Sequence, residues 1–348
     1  MILDGQSPFS IAAAAQALQH GELLGLPTET VYGIAADAGN DVAVAKIFAA
    51  KGRPANHPLI VHVASALGVQ RFASHVPDFA QKLIDAYWPG PLTLILPRRP
   101  EVAAVAAGGQ NSVGLRCPSH PVALAVLRSA EDLGVLGVAA PSANLFGRVS
   151  PTTAAHVASE FGPELLILEG GACDVGIEST IVDCTRAAPV LLRPGVLTPQ
   201  QLSDACGVTV ITAKGSDVDA PRASGTLDSH YAPMAQVQLM TALELQNAMD
   251  AYSGASAKVS DAAVATDTLA GSVAVWSRSP VKLPHAHGAQ FKWQSMPESA
   301  SDCAHQLFAQ LRRFDAQGVA HIWVEAPPQT PEWDGVRDRL TRAATPTR

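Results

Sequence analysis

The run Leu24–Gly33, LGLPTETVYG, concentrates groups that could bind a small ligand. Its apolar start stops at Pro27. Thr28, Glu29 and Thr30 then offer two hydroxyls and a carboxylate, and Tyr32 and Gly33 close the run. A strand ending in proline and hydroxyls at a sheet rim supplies side-chain and backbone hydrogen bonds to a ligand. The same pattern also suits a plain polar connection from strand to helix.

Other polar residues stand where an apolar one is expected. His62 interrupts LIVHV, Arg116 closes VGLRCP and Arg193 closes VLLRPG. A guanidinium at the end of a buried strand must be paired, and its planar fork suits a carboxylate or a phosphate. Each arginine therefore has two readings, an internal salt bridge or a ligand contact, and His62 alone reads as a satisfied core histidine. Three such placements in one region favour a polar pocket at the strand ends. Lys51 and Arg53 in KGRPANHPL could hold a polyphosphate, although a solvated helix C-terminus is the simpler reading of the pair. In Ala140–Thr153, APSANLFGRVSPTT, small residues would let a ligand approach the backbone. Ser142, Asn144 and Ser150 supply hydrogen-bonding groups there, and Ser150-Pro151 also resembles a helix start. Glu178-Ser179-Thr180 opens a strand. Cys117 and His120 in RCPSH lack an evident orienting group, so the cysteines read as packing residues. Phosphate-loop, GxGxxG, HExxH and GxSxG motifs do not occur.

These residues need elements to position them. Short apolar runs alternate with helical patterns to about residue 195. Strands are expected at 23–26, 59–63, 92–96, 113–116, 135–139, 165–168, 180–183 and 190–192. Helices are expected from Pro8 to near Gly21, over 42–51 with Asp41 as the cap, and over 78–87, 121–130 and 151–161. The mixture points to an α/β fold around one large, twisted mixed sheet flanked by helices, over residues 1–212. Residues 213–235 have no periodicity and read as a linker. Residues 236–348 form a smaller Rossmann-like α/β unit, with strands at 237–240, 273–276 and 321–325 and helices at 241–252 and 299–317. Residues 253–270 fit no element.

At 348 residues the chain suggests two domains. Lys plus Arg against Asp plus Glu is 12 to 17 over residues 1–212 and 12 to 14 over the remainder. Neither part is basic, which argues against tight direct tRNA or other nucleic-acid binding. No apolar run reaches the roughly 20 residues of a membrane span, and the N-terminus lacks a secretory pattern. Five unpaired-looking cysteines suit reduced thiols in a cytoplasm.

The motifs PTETVYG, KGRP..HPLIVH, WPGPLTLIL, VGLRCPSHP, APSAN, SPT, ESTIVD, LLRPG and HYAP occur in this order. Together they resemble the YrdC-type threonylcarbamoyl-AMP synthases in their longer, two-domain form. The resemblance covers residues 15–235, and the C-terminal unit agrees in position, size and α/β character. It implies a nucleotidyltransferase that makes threonylcarbamoyl-adenylate and pyrophosphate from L-threonine, bicarbonate or CO2, and ATP. The product would pass to a tRNA threonylcarbamoyltransferase complex, which modifies the adenosine beside the anticodon. L-Threonine would be held by Thr30, His62, Arg116, the Ala140 backbone and Ser179. ATP would be held by Arg53, His57, Ser112, Ser142, Ser150, Arg193 and Tyr231. Lys51 would lie close to the phosphates, which carry Mg²⁺ without a protein metal site. No side chain need become a covalent nucleophile. Two departures stand out: His57 replaces an asparagine, and SGTLDSHYAP replaces a more basic GMKYRHYAP. The linker is expected to close as a lid hinged at Gly225. A noncatalytic RNA-binding module of the same fold is the alternative. A hydrogenase-maturation carbamoyl transferase would want cysteine pairs that this chain lacks.

Overall fold

The computed structural model describes residues 1–213, 220–225, 230–259, 272–282 and 291–345, with 253–259 given as helical backbone only. The chain divides into two compact units, Met1–Phe146 with Ser150–Thr226, and Gly147–Val149 with Leu227–Arg348.

Eleven strands build the sheet of the first unit. They are β1 (Ile2–Asp4), β2 (Leu24–Leu26), β3 (Gly33–Asp37), β4 (Ile60–His62), β5 (Leu92–Pro97) and β6 (Ser112–Arg116). β7 (Val138–Ala139), β8 (Leu166–Glu169), β9 (Thr180–Asp183), β10 (Val190–Arg193) and β11 (Ile211–Thr212) follow. Their order is β1-β8-β2-β3-β7-β4-β6-β5-β9-β10-β11, mixed in direction. The central strands are buried on both faces, so β5 reads LTLILP, an almost continuous apolar run rather than an alternating one. The packed helices are α1 (Pro8–Gln19), α2 (Asp41–Lys51), α3 (Val69–Phe72), α4 (Asp78–Tyr87), α5 (Pro121–Asp132), α6 (Ala154–Phe161) and α7 (Pro199–Cys206).

Three local expectations change. Asn40, not Asp41, caps α2: its side chain accepts from the N–H groups of Val42 and Ala43, while Asp41 is the first helical residue and favours the dipole. Thr153 caps α6 by accepting from His156 N, so the helix starts three residues later than expected and Ser150 is free of capping duty. Unforeseen strand β3 pairs antiparallel with β2, and its small residues, GIAAD, are strand only because they are buried between β2 and β7.

The second unit holds an all-parallel sheet of β12 (Gln236–Met240), β13 (Val273–Ser277), β14 (Phe291–Ser295) and β15 (His321–Glu325), in the order β12-β15-β13-β14. Helix α8 (Ala242–Val259) follows β12, α9 (Ala300–Ala316) follows β14 and α10 (Asp334–Ala344) follows β15. Strand β14 and helix α10 are additions to the expected set. Residues 260–270 of the unplaced stretch lie outside the described residues.

Candidate functional site

The LPTETVYG turn is locked by Thr28. Its hydroxyl donates to Val31 O at 2.6 Å and accepts from the N–H groups of Thr30 and Val31. This local hydrogen bonding turns the chain sharply between β2 and β3. It leaves Glu29 and Thr30 buried with side chains converging on Arg116. Gly33 is required for a steric reason: a Cβ there would stand 3.1 Å from Ala140 Cβ and 3.4 Å from Pro141 O. Thus the turn and the APSAN segment are pressed together, with Gly33 bridging to Ser142.

Arg116, at the end of β6 and 4% exposed, uses three nitrogens. Nε donates to Gly90 O at 3.2 Å and Nη1 to Thr30 Oγ1 at 2.8 Å. Nη2 lies 2.7 Å from Glu29 Oε1 as a buried ion pair. The internal salt bridge is therefore real, and it sits among the very groups expected to bind a ligand. Burial opposes ionisation of Glu29, but the Arg116 charge and nearby N–H groups outweigh it and hold the carboxyl below its usual range. His62 is paired in register with Arg116 across β4 and β6. Burial, with the Arg116 charge, pushes its imidazole down to about 3, so it is neutral. Its Nδ1 meets no hydrogen-bond partner among the described residues. The Ile60 and Val138 backbone lies against the ring, and the open Nδ1 is where a ligand contact has room.

A second arginine cluster flanks this pocket. Arg193 donates to Ser179 O through Nε at 3.1 Å and Nη2 at 2.8 Å. Its Nη2 also reaches Ser179 Oγ at 3.2 Å, and that hydroxyl shares a 2.7 Å hydrogen bond with Thr93 Oγ1. Arg193 Nη1 donates to Ser224 O at 2.9 Å. Arg53 Nη2 donates to Pro58 O at 2.9 Å and to Ser224 Oγ at 3.3 Å, and its guanidinium lies over the Phe146 ring. His57 packs edge-on against Phe146, and burial followed by the charges of Arg53 and Arg222 lowers its pKa. The segment 222–224 therefore spans the two arginines within the first unit. Ser112, with Gln110, Gly114, Arg222, Ala223 and Ser224, lines a cleft beside them.

Lys51 corrects the solvated reading. It is 2% exposed, and Nζ donates to the carbonyls of Ser142, at 2.6 Å, and Asn144. Burial first, then the Arg53 charge, drives its pKa well below the usual lysine value. The reason is local: α2 stops at Gly52 in the left-handed region, and the last turn is roofed by the APSAN carbonyls. Ser150, also buried, donates to Glu178. Tyr231 belongs to the second unit, where it is buried at φ 62° beside His230, Phe308 and Arg339.

Thr30, His62, Arg116 and the Ala140 backbone are thus gathered in one place, and Ser179, Arg193 and Arg53 in an adjoining one. Sequence reasoning noticed Glu29 and Glu178 but assigned them no role, and it passed over Thr93 and Ser224. Glu29 had a signal: two buried strand-end arginines needed acids, and it lies in the one binding turn. All five cysteines are buried, and burial pushes Cys117 up to about 11 and raises Cys173 and Cys184, which suits packing residues. Among the described residues no helix is long and apolar enough to cross a membrane.

The fold and these clusters define an α/β protein with buried arginines gathered at strand ends and, among the described residues, no activated nucleophile. Comparison with known proteins makes this specific. A family model described as "Telomere recombination" (Sua5, YciO and YrdC) matches residues 16–195. A second, for the C-terminal domain of threonylcarbamoyl-AMP synthase, matches residues 197–345. The chain is 36% identical over 339 residues to threonylcarbamoyl-AMP synthase of Bacillus subtilis, covering 96% of this chain and 92% of the relative. It is 43% identical over 232 residues to that of Pyrococcus abyssi, 66% of this chain and 67% of the relative. The crystal structure of P. abyssi Sua5 complexed with L-threonine superposes with a TM-score of 0.85 at 32% identity, covering 99% and 97% of the two chains. The chain belongs to the threonylcarbamoyl-AMP synthase family, in its two-domain, Sua5-type form.

Proposed function

We propose that residues 1–212 carry the synthase chemistry on the two arginine clusters described above, joined through 213–235 to a C-terminal unit over 236–348. L-Threonine is assigned to Thr30, His62, Arg116, the Ala140 backbone and Ser179, and ATP to Arg53, His57, Ser112, Ser142, Ser150, Arg193 and Tyr231. The observation that carries this reading is the buried Thr30–Arg116 contact beside a neutral His62 with an unpartnered Nδ1. An unsatisfied buried polar atom beside a guanidinium asks for a polar ligand. L-Threonine bound to P. abyssi Sua5 supports its identity.

The chemistry needs no nucleophilic side chain. The free amine of threonine captures CO2 as a carbamate and loses a proton. A carbamate oxygen then attacks the α-phosphorus of ATP, and the bond to pyrophosphate breaks. The chain's part is orientation and charge neutralisation by Arg53 and Arg193, with Lys51 close to the phosphates. The donor set around these cations suits phosphate oxygens rather than a metal, so Mg²⁺ is assigned to the ATP phosphates. The segment around Ser224 is assigned as a lid hinged at Gly225, which has φ 76°. The product passes to a tRNA threonylcarbamoyltransferase complex, and the enzyme works in the cytoplasm.

The test is pyrophosphate release from ATP and Mg²⁺, with and without L-threonine and bicarbonate. Release that needs both, and collapses in Arg116→Ala, is expected. Release indifferent to threonine overturns the substrate assignment.

A further inference from the structure

We propose that Glu29 is a direct ligand of the amino acid, holding its α-amino group while Arg116 holds its α-carboxylate. The inference rests on the assignment of threonine to the Thr30–His62–Arg116 pocket and adds a residue to it. Glu29 is 4% exposed, and its Oε1 stands 2.7 Å from Arg116 Nη2. The two charges are carried by separate elements, the β2–β3 turn and the end of β6, which β7 and β4 separate in the sheet. The other groups facing them are neutral: Thr30 Oγ1 at 2.8 Å from Arg116 Nη1, the Gly90 carbonyl at 3.2 Å from Nε, and His62 opposite in the strand register. The pocket thus presents one buried cation and one buried anion, with no net charge. A zwitterion is the ligand that matches this pair group for group, each of its charges replacing water lost on burial.

The arrangement is poorly explained as a stability device. A buried pair often gains little over a well-packed apolar one of the same volume, because desolvation offsets the attraction. The carboxylate faces Arg116 and the N–H groups of Glu29 and Ser119, and with about four lone-pair sites it keeps acceptor capacity for a bound N–H group.

The experiment compares two ligands by calorimetry on the full chain without ATP: L-threonine, and its deaminated analogue 3-hydroxybutyrate. The wild type is expected to prefer threonine at least tenfold. Glu29→Gln is expected to reduce that preference to under threefold, with ATP affinity unchanged, whereas Glu29→Asp keeps the charge and most of the preference. Equal losses for both ligands in Glu29→Gln would mean that Glu29 acts only through Arg116, and unchanged affinities would mean that it does not act at all; either overturns the inference. If Glu29→Gln fails to fold, loss of the preference in Glu29→Asp does the same. Failure of the underlying reading looks different: wild type that does not bind threonine, or Arg116→Ala that binds it undiminished.

Discussion

Replacing Arg116 by alanine should separate stability from function in a way that the buried pair makes quantitative. The substitution leaves the Glu29 carboxylate buried without its partner at 2.7 Å. Breaking a buried pair from one side costs about 3–5 kcal/mol, most of it the penalty of the stranded charge. For a domain of this size that is a loss of roughly 10 °C in Tm. The pH dependence carries the diagnosis. In the wild type the Glu29 carboxyl lies below its ordinary value of 4.5, so its stabilising contribution is present above that value and is lost as pH falls through the depressed one. In Arg116→Ala burial, the largest influence, is opposed only by the backbone N–H groups, the carboxyl rises, and the penalty is relieved by protonation as pH falls. The gap between wild type and variant is therefore widest near pH 8 and narrows towards pH 4.5. The double variant Arg116→Met, Glu29→Gln should recover most of the lost stability, since neither charge remains, without recovering threonine-dependent pyrophosphate release. Thermal melting at pH 8 and pH 4.5 on the three proteins tests this. A gap that does not change with pH, or a double variant no more stable than Arg116→Ala, refutes the reasoning.

Three further outcomes are expected. His62 binds a proton readily unfolded and resists it folded, so it adds stability above about pH 6.5 that is lost as pH falls; between pH 7 and 5 it should remove about 2 kcal/mol, and His62→Asn should lose correspondingly less over that range in urea titrations. Gly33→Ala forces Ala140 or Pro141 to move, costing about 1–3 kcal/mol by melting and lowering threonine affinity more than ATP affinity; an unchanged threonine KM would dissociate this contact from the pocket. Deleting His230–Pro233 should abolish turnover while leaving the first unit's threonine binding within twofold, and full activity after the deletion would rule out the lid.

How much was legible beforehand follows from what each residue's neighbours in sequence reveal. Helix α5 has proline at its first position and apolar residues at three-to-four spacing, and it appeared where read, two residues longer. Strand β3 was invisible because GIAAD carries no alternation and little β-branching; its partners β2 and β7, the latter about a hundred residues away, make it a strand. The capping box at Thr198 and Gln201, with Pro199 and Gly207, was a full set of signals for α7, a helix the sequence reading left out. The site divides in the same way. Arg116, Arg193 and His62 announced themselves as polar residues inside apolar runs, a local property. Lys51 looked like any cation at a helix end, because the carbonyls that bury it come from Ser142 and Asn144, some ninety residues on. Glu29 is the intermediate case. Its burial was not readable, but two strand-end arginines required acids, and a carboxylate between two threonines in the binding turn was the candidate nearest the chemistry. Counting the charges that a fold must pair inside itself therefore extends sequence reading one step further, from the residues that look out of place to the partners that allow them to be there.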